Sequence, residues 1–247
     1  MKLRRFAFPV ICAVVSAVFF VGVYLLIVVG TVTPPFLEGL LLLVPVAVFS
    51  ALAVVTYRHE SSAIVVNVVT AVLIPVFVVL SAVLLLYAGF SEATEPCGDT
   101  RYYTRAYNTC GDNTSVAQVF PERIPDDAWD VRFHYHGAFL QGGGELSLAY
   151  SHDPEDLSAV EQRLRKSALW CGENADFSDW DDRPSYFSGE SFWGDYRVPD
   201  GATVYLVDYR NPYGEDEDGH SWWNHGSFVV AAVSVESGKA VFRYCYW

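Results

Sequence analysis

An uncharged run of 31 residues lies between Glu60 and Glu92, and no other stretch limits this chain's fold so strongly. It reads Ala63-Ile64-Val65-Val66 near one end and Leu84-Leu85-Leu86-Tyr87 near the other. The hydrocarbon core of a bilayer is about 30 Å thick, and about 20 apolar residues in a helix cross it. The run is long enough to cross with tilt to spare. Beyond it the sequence turns polar, acidic and aromatic and stays so to Trp247. The run therefore reads as the last crossing, the one that fixes where the larger soluble part lies.

Two further crossings precede it. Met1 to Arg5 is a short basic start, and no charge follows from Phe6 to Leu37. The apolar part continues past Gly22 and Tyr24 to Val29, whereas the apolar core of a secretory signal has about 7–15 residues. Val10-Ile11 stand before Cys12 where a lipoprotein signal needs a small residue, so a retained helix is expected. Pro34-Pro35 cannot continue a helix and mark a turn. The second crossing is expected from about Phe36 to Tyr57, with Glu38 near the positive helix end.

Lys2, Arg4, Arg5 and Arg58 flank one side of these crossings, while Thr31–Pro35 carries no charge. The positive-inside rule then makes the N-terminus and the Arg58 loop cytoplasmic. Three crossings place residue 91 onward outside a plasma membrane. Within the third, Asn67, Thr70 and Ser81 are the polar candidates, and Pro45 and Pro75 are candidate kinks. A lone Asn serves most simply as an interhelical hydrogen bond, and a transport pathway calls for ionisable groups. Anchoring is the expected role.

Charge divides the chain as sharply as hydropathy does. Residues 1–90 hold four basic and two acidic residues; 91–247 hold 12 basic and 27 acidic ones, a net of −15. Such a segment repels polyanions, which excludes nucleic acid as a partner. All seven Trp also lie there, as a packed domain requires and a disordered tail does not.

The expected organisation is a three-helix anchor over 1–90, a linker and irregular segment over 91–124, and an extracytoplasmic α+β domain over 125–247. Four cysteines fall outside the membrane block: Cys97, Cys110, Cys171 and Cys245. An even number in an exported domain predicts two disulfides. Three connectivities are open, and Cys97–Cys110 with Cys171–Cys245 is preferred. The short paired spacings of a four-cysteine metal site are absent. Asn113-Thr114-Ser115 matches a glycosylation sequon.

Trp129 to His136 alternates, with Val131, Phe133 and Tyr135 on one face and Arg132, His134 and His136 on the other, which predicts a half-buried strand. Leu146, Leu148 and Tyr150 alternate again and predict its hairpin partner. Asp153, Pro154, Glu155 and Asp156 form a helix-start signature. Leu157, Val160, Leu164 and Ala168 follow at helical spacing, so a helix is predicted from Pro154 to Trp170. Thr203–Tyr209 predicts a strand, and Ser227–Val235 with Lys239–Tyr246 predicts a hairpin. The fold class is a membrane-anchored α+β protein: three transmembrane helices, then an antiparallel sheet with one main helix.

His134 and His136 project from one strand face and form a candidate metal pair, with His152, His220 or a carboxylate to complete it. Two imidazoles fall short of the three ligands a site needs, so no cofactor is expected, a divalent metal being the candidate weighed. In the acidic loop Glu215–Asp218, aligned on Gly219, Gly214 and His225 stand where calcium-loop carboxylates belong. In Gly189-Glu190-Ser191-Phe192-Trp193, Trp193 replaces the second glycine of a nucleophile elbow. Trp222-Trp223 beside His220 and His225 offers an aromatic patch for sugar rings or a protein. The expectation is a binding or interaction module at the cell envelope, its partners membrane lipid and an envelope protein or glycan. The alternative is an envelope metal-dependent hydrolase using the His134/His136 face.

Overall fold

The computed structural model describes residues 3–59, 62–111, 113–138, 143–173, 193, 196–210 and 226–246. The chain forms two compact units, Met1–Glu92 and Ala93–Trp247.

The first unit is helical. It comprises α1 (Leu3–Gly30), α2 (Phe36–Gly39), a 3-10 turn (Leu40–Leu43), α3 (Val44–Arg58) and α4 (Ala63–Thr94). Ala7–Gly30, Phe36–Arg58 and Ala63–Ser91 are long and apolar enough to cross a membrane. Their outward faces are aliphatic: Val29 and Ile64 are each 80% exposed. Apolar residues all round a helix suit lipid and not water. The second crossing is not one continuous helix. Pro45 sits in the first turn of α3, not at a kink. Having no N–H, it cannot bond the carbonyl four residues back, and the chain ahead of it tightens into the 3-10 turn. Gly39 admits the Tyr24 ring, since a Cβ there would stand 2.8 Å from Tyr24 Cε2. Thr56 and Thr70 hydroxyls donate to the carbonyls of Leu52 and Val66, four residues back on their own helices. Both threonines are buried, and these bonds leave neither hydroxyl unpaired.

The second unit is built on a six-stranded antiparallel sheet: β1 (Trp129–His136), β2 (Gly144–Ser151), β3 (Trp170–Glu173), β4 (Thr203–Arg210), β5 (Ser227–Ser234) and β6 (Lys239–Tyr246). The spatial order is β1-β2-β6-β5-β4-β3. The C-terminal strand thus closes the centre, between β2 and β5. Gly238 turns the β5–β6 hairpin with φ +64°, a backbone angle that glycine takes without strain. Asp130, at φ 52°, lies where the β1–β2 register shifts between Trp129 and Arg132. A bulge with a left-handed residue explains why the alternation starts cleanly only from Arg132.

Helices cover one face of this sheet. They are α5 (Tyr103–Cys110), α6 (Thr114–Val119) and α7 (Pro154–Ser167). The segment expected to be irregular therefore supplies two helices to the core. Asp99 caps a 3-10 turn ahead of α5 by accepting from the Arg101 N–H, and Asn113 caps α6 by accepting from Ser115 at 3.0 Å. Tyr103, Ala106 and Cys110 are buried along α5, and Val116 and Val119 along α6. Phe120 and Tyr150 pack on Phe242 at centroid distances of 5.8 and 5.6 Å. Asn113 of the sequon thus serves as a helix cap through its Oδ1. The helix α7 starts where expected, at Pro154, although Asp153 makes no side-chain cap bond. It ends at Ser167, short of Trp170, because the Leu169 N–H donates to Leu206 and β3 begins.

The expected disulfides do not form: Cys97, Cys110, Cys171 and Cys245 are free thiols, as is Cys12. Cys171 on β3 and Cys245 on β6 are separated by β4 and β5. At about 4.8 Å per strand spacing they stand about 14 Å apart, against the roughly 4.4–6.8 Å that a bridge spans. They also point to opposite faces, Cys171 pairing with Tyr205 and Cys245 with Glu145 and Phe228. Cys97 is held in a backbone bridge to Tyr135 on the β1 edge, while Cys110 ends α5.

Two measurements check this architecture. Thiol titration of the denatured chain without reductant is expected to find all five cysteines reactive; two disulfides would leave one. Phe242→Ala removes a ring that is fully buried between Phe120 and Tyr150, and should destabilise the domain by about 3–5 kcal/mol in denaturant unfolding.

Candidate functional site

The sheet face opposite the helices carries the candidate site, and strand parity builds it. Register places Glu145 beside both His136 and Cys245, and Ser147 beside both His134 and Arg243. His134, His136, Glu145, Ser147, Arg243 and Cys245 therefore share one face over β1, β2 and β6. Toward β5, β4 and β3 the same face becomes apolar. There Val204, Leu206, Val230, Ala232 and Val241 pack with Trp193, and Tyr196 and Val198 lie against them.

Glu145 and Arg243 form the centre of the polar part. Arg243 donates from Nε to Oε1 at 3.1 Å and from Nη2 to Oε2 at 3.0 Å. Ser147 adds a hydroxyl donor to Oε1 at 2.6 Å. Arg243 is 8% exposed and Ser147 fully buried. The guanidinium carbon also stands 5.9 Å from the Phe228 ring centroid, within cation–π range. Burial pushes the Glu145 carboxyl up, but the Arg243 fork and the Ser147 hydroxyl outweigh it and leave it below the ordinary glutamate value. A two-pronged charge-assisted pair of this kind fixes both planes.

This arrangement limits the chemistry available. A carboxylate held by an Arg fork is a weak base, so Glu145 is poorly placed to activate Ser147. Burial pushes the Cys245 and Cys110 thiols up to about 12, which keeps both protonated at neutral pH. A thiol in that state is not a nucleophile. The Ser147 hydroxyl, across from His134, is buried and spent on Glu145.

The predicted residues distribute as follows. His134 and His136 lie on this face, half-buried, and His134 is close enough to lower the Glu145 carboxyl. Among the described residues, the group of three metal-ligating side chains that comes together contains neither of them. His152, weighed as a third ligand, lies past the far end of β2 from Glu145 and pairs with Asp127 instead. Trp222, Trp223, His220 and His225 lie outside the described residues, as does the acidic loop Glu215–Asp218. Glu145, Ser147 and Arg243 were not singled out from the sequence. Glu145 and Ser147 occupy the polar positions of the β2 alternation, which read in sequence as an ordinary solvated face.

In the helical unit an apolar cavity of about 420 Å³ opens between α1, α3 and α4. Its lining includes Cys12, Phe19, Phe49, Phe77 and Ser81 and no charged group. An ion or proton path needs ionisable or strongly polar lining. The cavity has the character of helix-packing space.

Comparison with known proteins gave no match: no family model, no curated protein and no solved structure corresponds to this chain.

Removing one side of the Glu145–Arg243 pair is the direct test of the face. Arg243→Met leaves a carboxylate without its partner and should cost about 3 kcal/mol. The sign with pH follows from the lowered carboxyl. Its stabilisation is present at neutral pH and is lost as pH falls through the folded-state value, below the ordinary glutamate range. Glu145→Gln should therefore flatten the acid limb of a stability–pH profile; an unchanged limb would rule out the ion pair.

Proposed function

We propose that the protein is an integral membrane binding module. Three helices anchor it, and the Ala93–Trp247 unit presents an acidic, aromatic-rich surface outside the plasma membrane to an envelope protein or glycan. The observation that carries this reading is the saturation of the sheet's buried charges by one another. Glu145, Ser147 and Arg243 satisfy one another's hydrogen bonds, and the Ser147 hydroxyl is spent on Glu145. The net charge of −15 over 91–247 favours cationic or neutral ligands and disfavours polyanions.

The orientation rests on Lys2, Arg4, Arg5 and Arg58 flanking one side of the crossings. A protease added to intact spheroplasts should digest the acidic domain while the N-terminus stays protected. Survival of the domain until the membrane is permeabilised would overturn the orientation and the envelope role with it.

The alternative reading, a metal-dependent hydrolase, draws on His134 and His136 sharing a face with Glu145. It requires hydrolytic turnover that the double variant His134→Ala/His136→Ala abolishes. The binding reading predicts no turnover in either chain and unchanged folding.

A further inference from the structure

His152 follows β2 and is held at its backbone by the β5–β6 turn. Its N–H donates to Gly238 at 3.0 Å, and a Cβ at Gly238 would stand 3.1 Å from the His152 carbonyl. The imidazole is 5% exposed and lies edge-on to Tyr150. Asp127, from the turn before β1, and Asp156, from the first turn of α7, bring a carboxylate to each ring nitrogen.

The two contacts differ in kind. Nε2 lies 2.8 Å from Asp127 Oδ1 in a hydrogen bond. Nδ1 lies 3.2 Å from Asp156 Oδ2, yet without hydrogen-bond geometry. It is a buried nitrogen with no hydrogen-bond partner among the described residues. When Nε2 carries the proton and donates it to Asp127, Nδ1 presents a lone pair to a carboxylate oxygen. Two such acceptors at that distance repel unless a proton or a metal ion lies between them. Tetrahedral ligands of one zinc-class ion, each about 2.0–2.2 Å from it, stand about 3.3–3.6 Å apart. The 3.2 Å spacing falls just short of that range.

We propose that Asp127, His152 and Asp156 form a divalent transition-metal site. His152 Nδ1 and Asp156 supply the two protein ligands, one fewer than a closed site has, water completes the coordination, and Asp127 orients the ring through Nε2–H. One ligand-capable atom from each of the three residues lies within 4.8 Å of the others. A carboxylate on the second ring nitrogen is the usual support of a ligating histidine, fixing its tautomer and raising its basicity. An imidazole donor selects zinc-class ions over calcium and magnesium. The Asp127 and Asp156 side chains are 72% and 63% exposed, which gives the ion an entry path and leaves positions for water. The site would fasten the turn before β1 to the start of α7. It lies at the opposite end of β2 from Glu145 and does not depend on what that face binds.

The test is calorimetric zinc titration of the full chain in nanodiscs after chelator stripping, with magnesium as the competitor. One saturable zinc site per chain is expected, undisturbed by millimolar magnesium. Asp156→Ala should weaken it at least tenfold, and Asp127→Ala by about 10–100-fold, as for other outer-shell carboxylates. His134→Ala/His136→Ala should leave it intact. His152→Ala should abolish it, but His152 is buried, so the two exposed aspartates decide, with circular dichroism confirming that each variant folds. Absence of saturable zinc uptake would overturn the site. So would uptake that survives both Asp variants, or uptake lost with the His134/His136 pair.

Discussion

Burial of the central strand pair on both faces governs the second unit. From Phe228 to Ser234 on β5 and from Ala240 to Cys245 on β6, every residue is buried. A strand covered on both sides needs apolar side chains at odd and even positions alike, so β5 reads Phe-Val-Val-Ala-Ala-Val, without alternation. The helices press on Val229, Ala231 and Phe242, while Trp193 and Tyr196 lie against the Val204–Val230–Val241 face. The small residues on β5 let helices and sheet approach closely. Burial then falls off toward the β1 and β3 edges, where Trp129 is exposed and His134 half-buried.

That two-sided burial explains the form of the polar face. Arg243 sits within the buried run of β6, where an isolated guanidinium would be strongly destabilising. Only a partner on an adjacent strand at matching parity can reach it, and Glu145 meets that condition through the β2–β6 register. The pair marks the line along which the face changes from apolar to polar. Its rigidity follows from two parallel hydrogen bonds plus the Ser147 hydroxyl, which leaves few rotamers open to any of the three side chains.

Much of this fold is encoded locally, and the rest depends on pairings between distant segments. Three membrane-length helices, the paired strands and the start of α7 at Pro154 follow from uncharged length, alternation and helix-start chemistry. The end of α7 was not legible, because the capture of Leu169 by Leu206 depends on a strand 37 residues downstream. The helices α5 and α6 were legible in part. Tyr103, Ala106 and Cys110 have helical spacing, and Asp99 and Asn113 are cap residues, but short polar helices stand out weakly against loop composition. Strand order was out of reach, and with it the Glu145–Arg243 pairing, since the insertion of β6 between β2 and β5 is a global choice. The Asp127–His152–Asp156 cluster has the same origin, joining a turn, a strand end and a helix start.

The free thiols follow from the same topology and bear on compartment in a specific way. An even cysteine number is a property of composition, whereas a bridge needs two side chains on one face at close range, which the strand order denies to Cys171 and Cys245. Thiol–disulfide exchange proceeds through the thiolate. Burial pushes the Cys110 and Cys245 thiols up to about 12, so both stay protonated at neutral pH. Burial hides these sulfurs from oxidants as well. Unpaired cysteines of this kind persist in oxidising surroundings for the reason that makes them useless as nucleophiles. Cys171 is free as well and stands exposed on β3, so burial does not account for every unpaired thiol, and the expectation of an oxidising compartment drawn from the cysteine count loses its support.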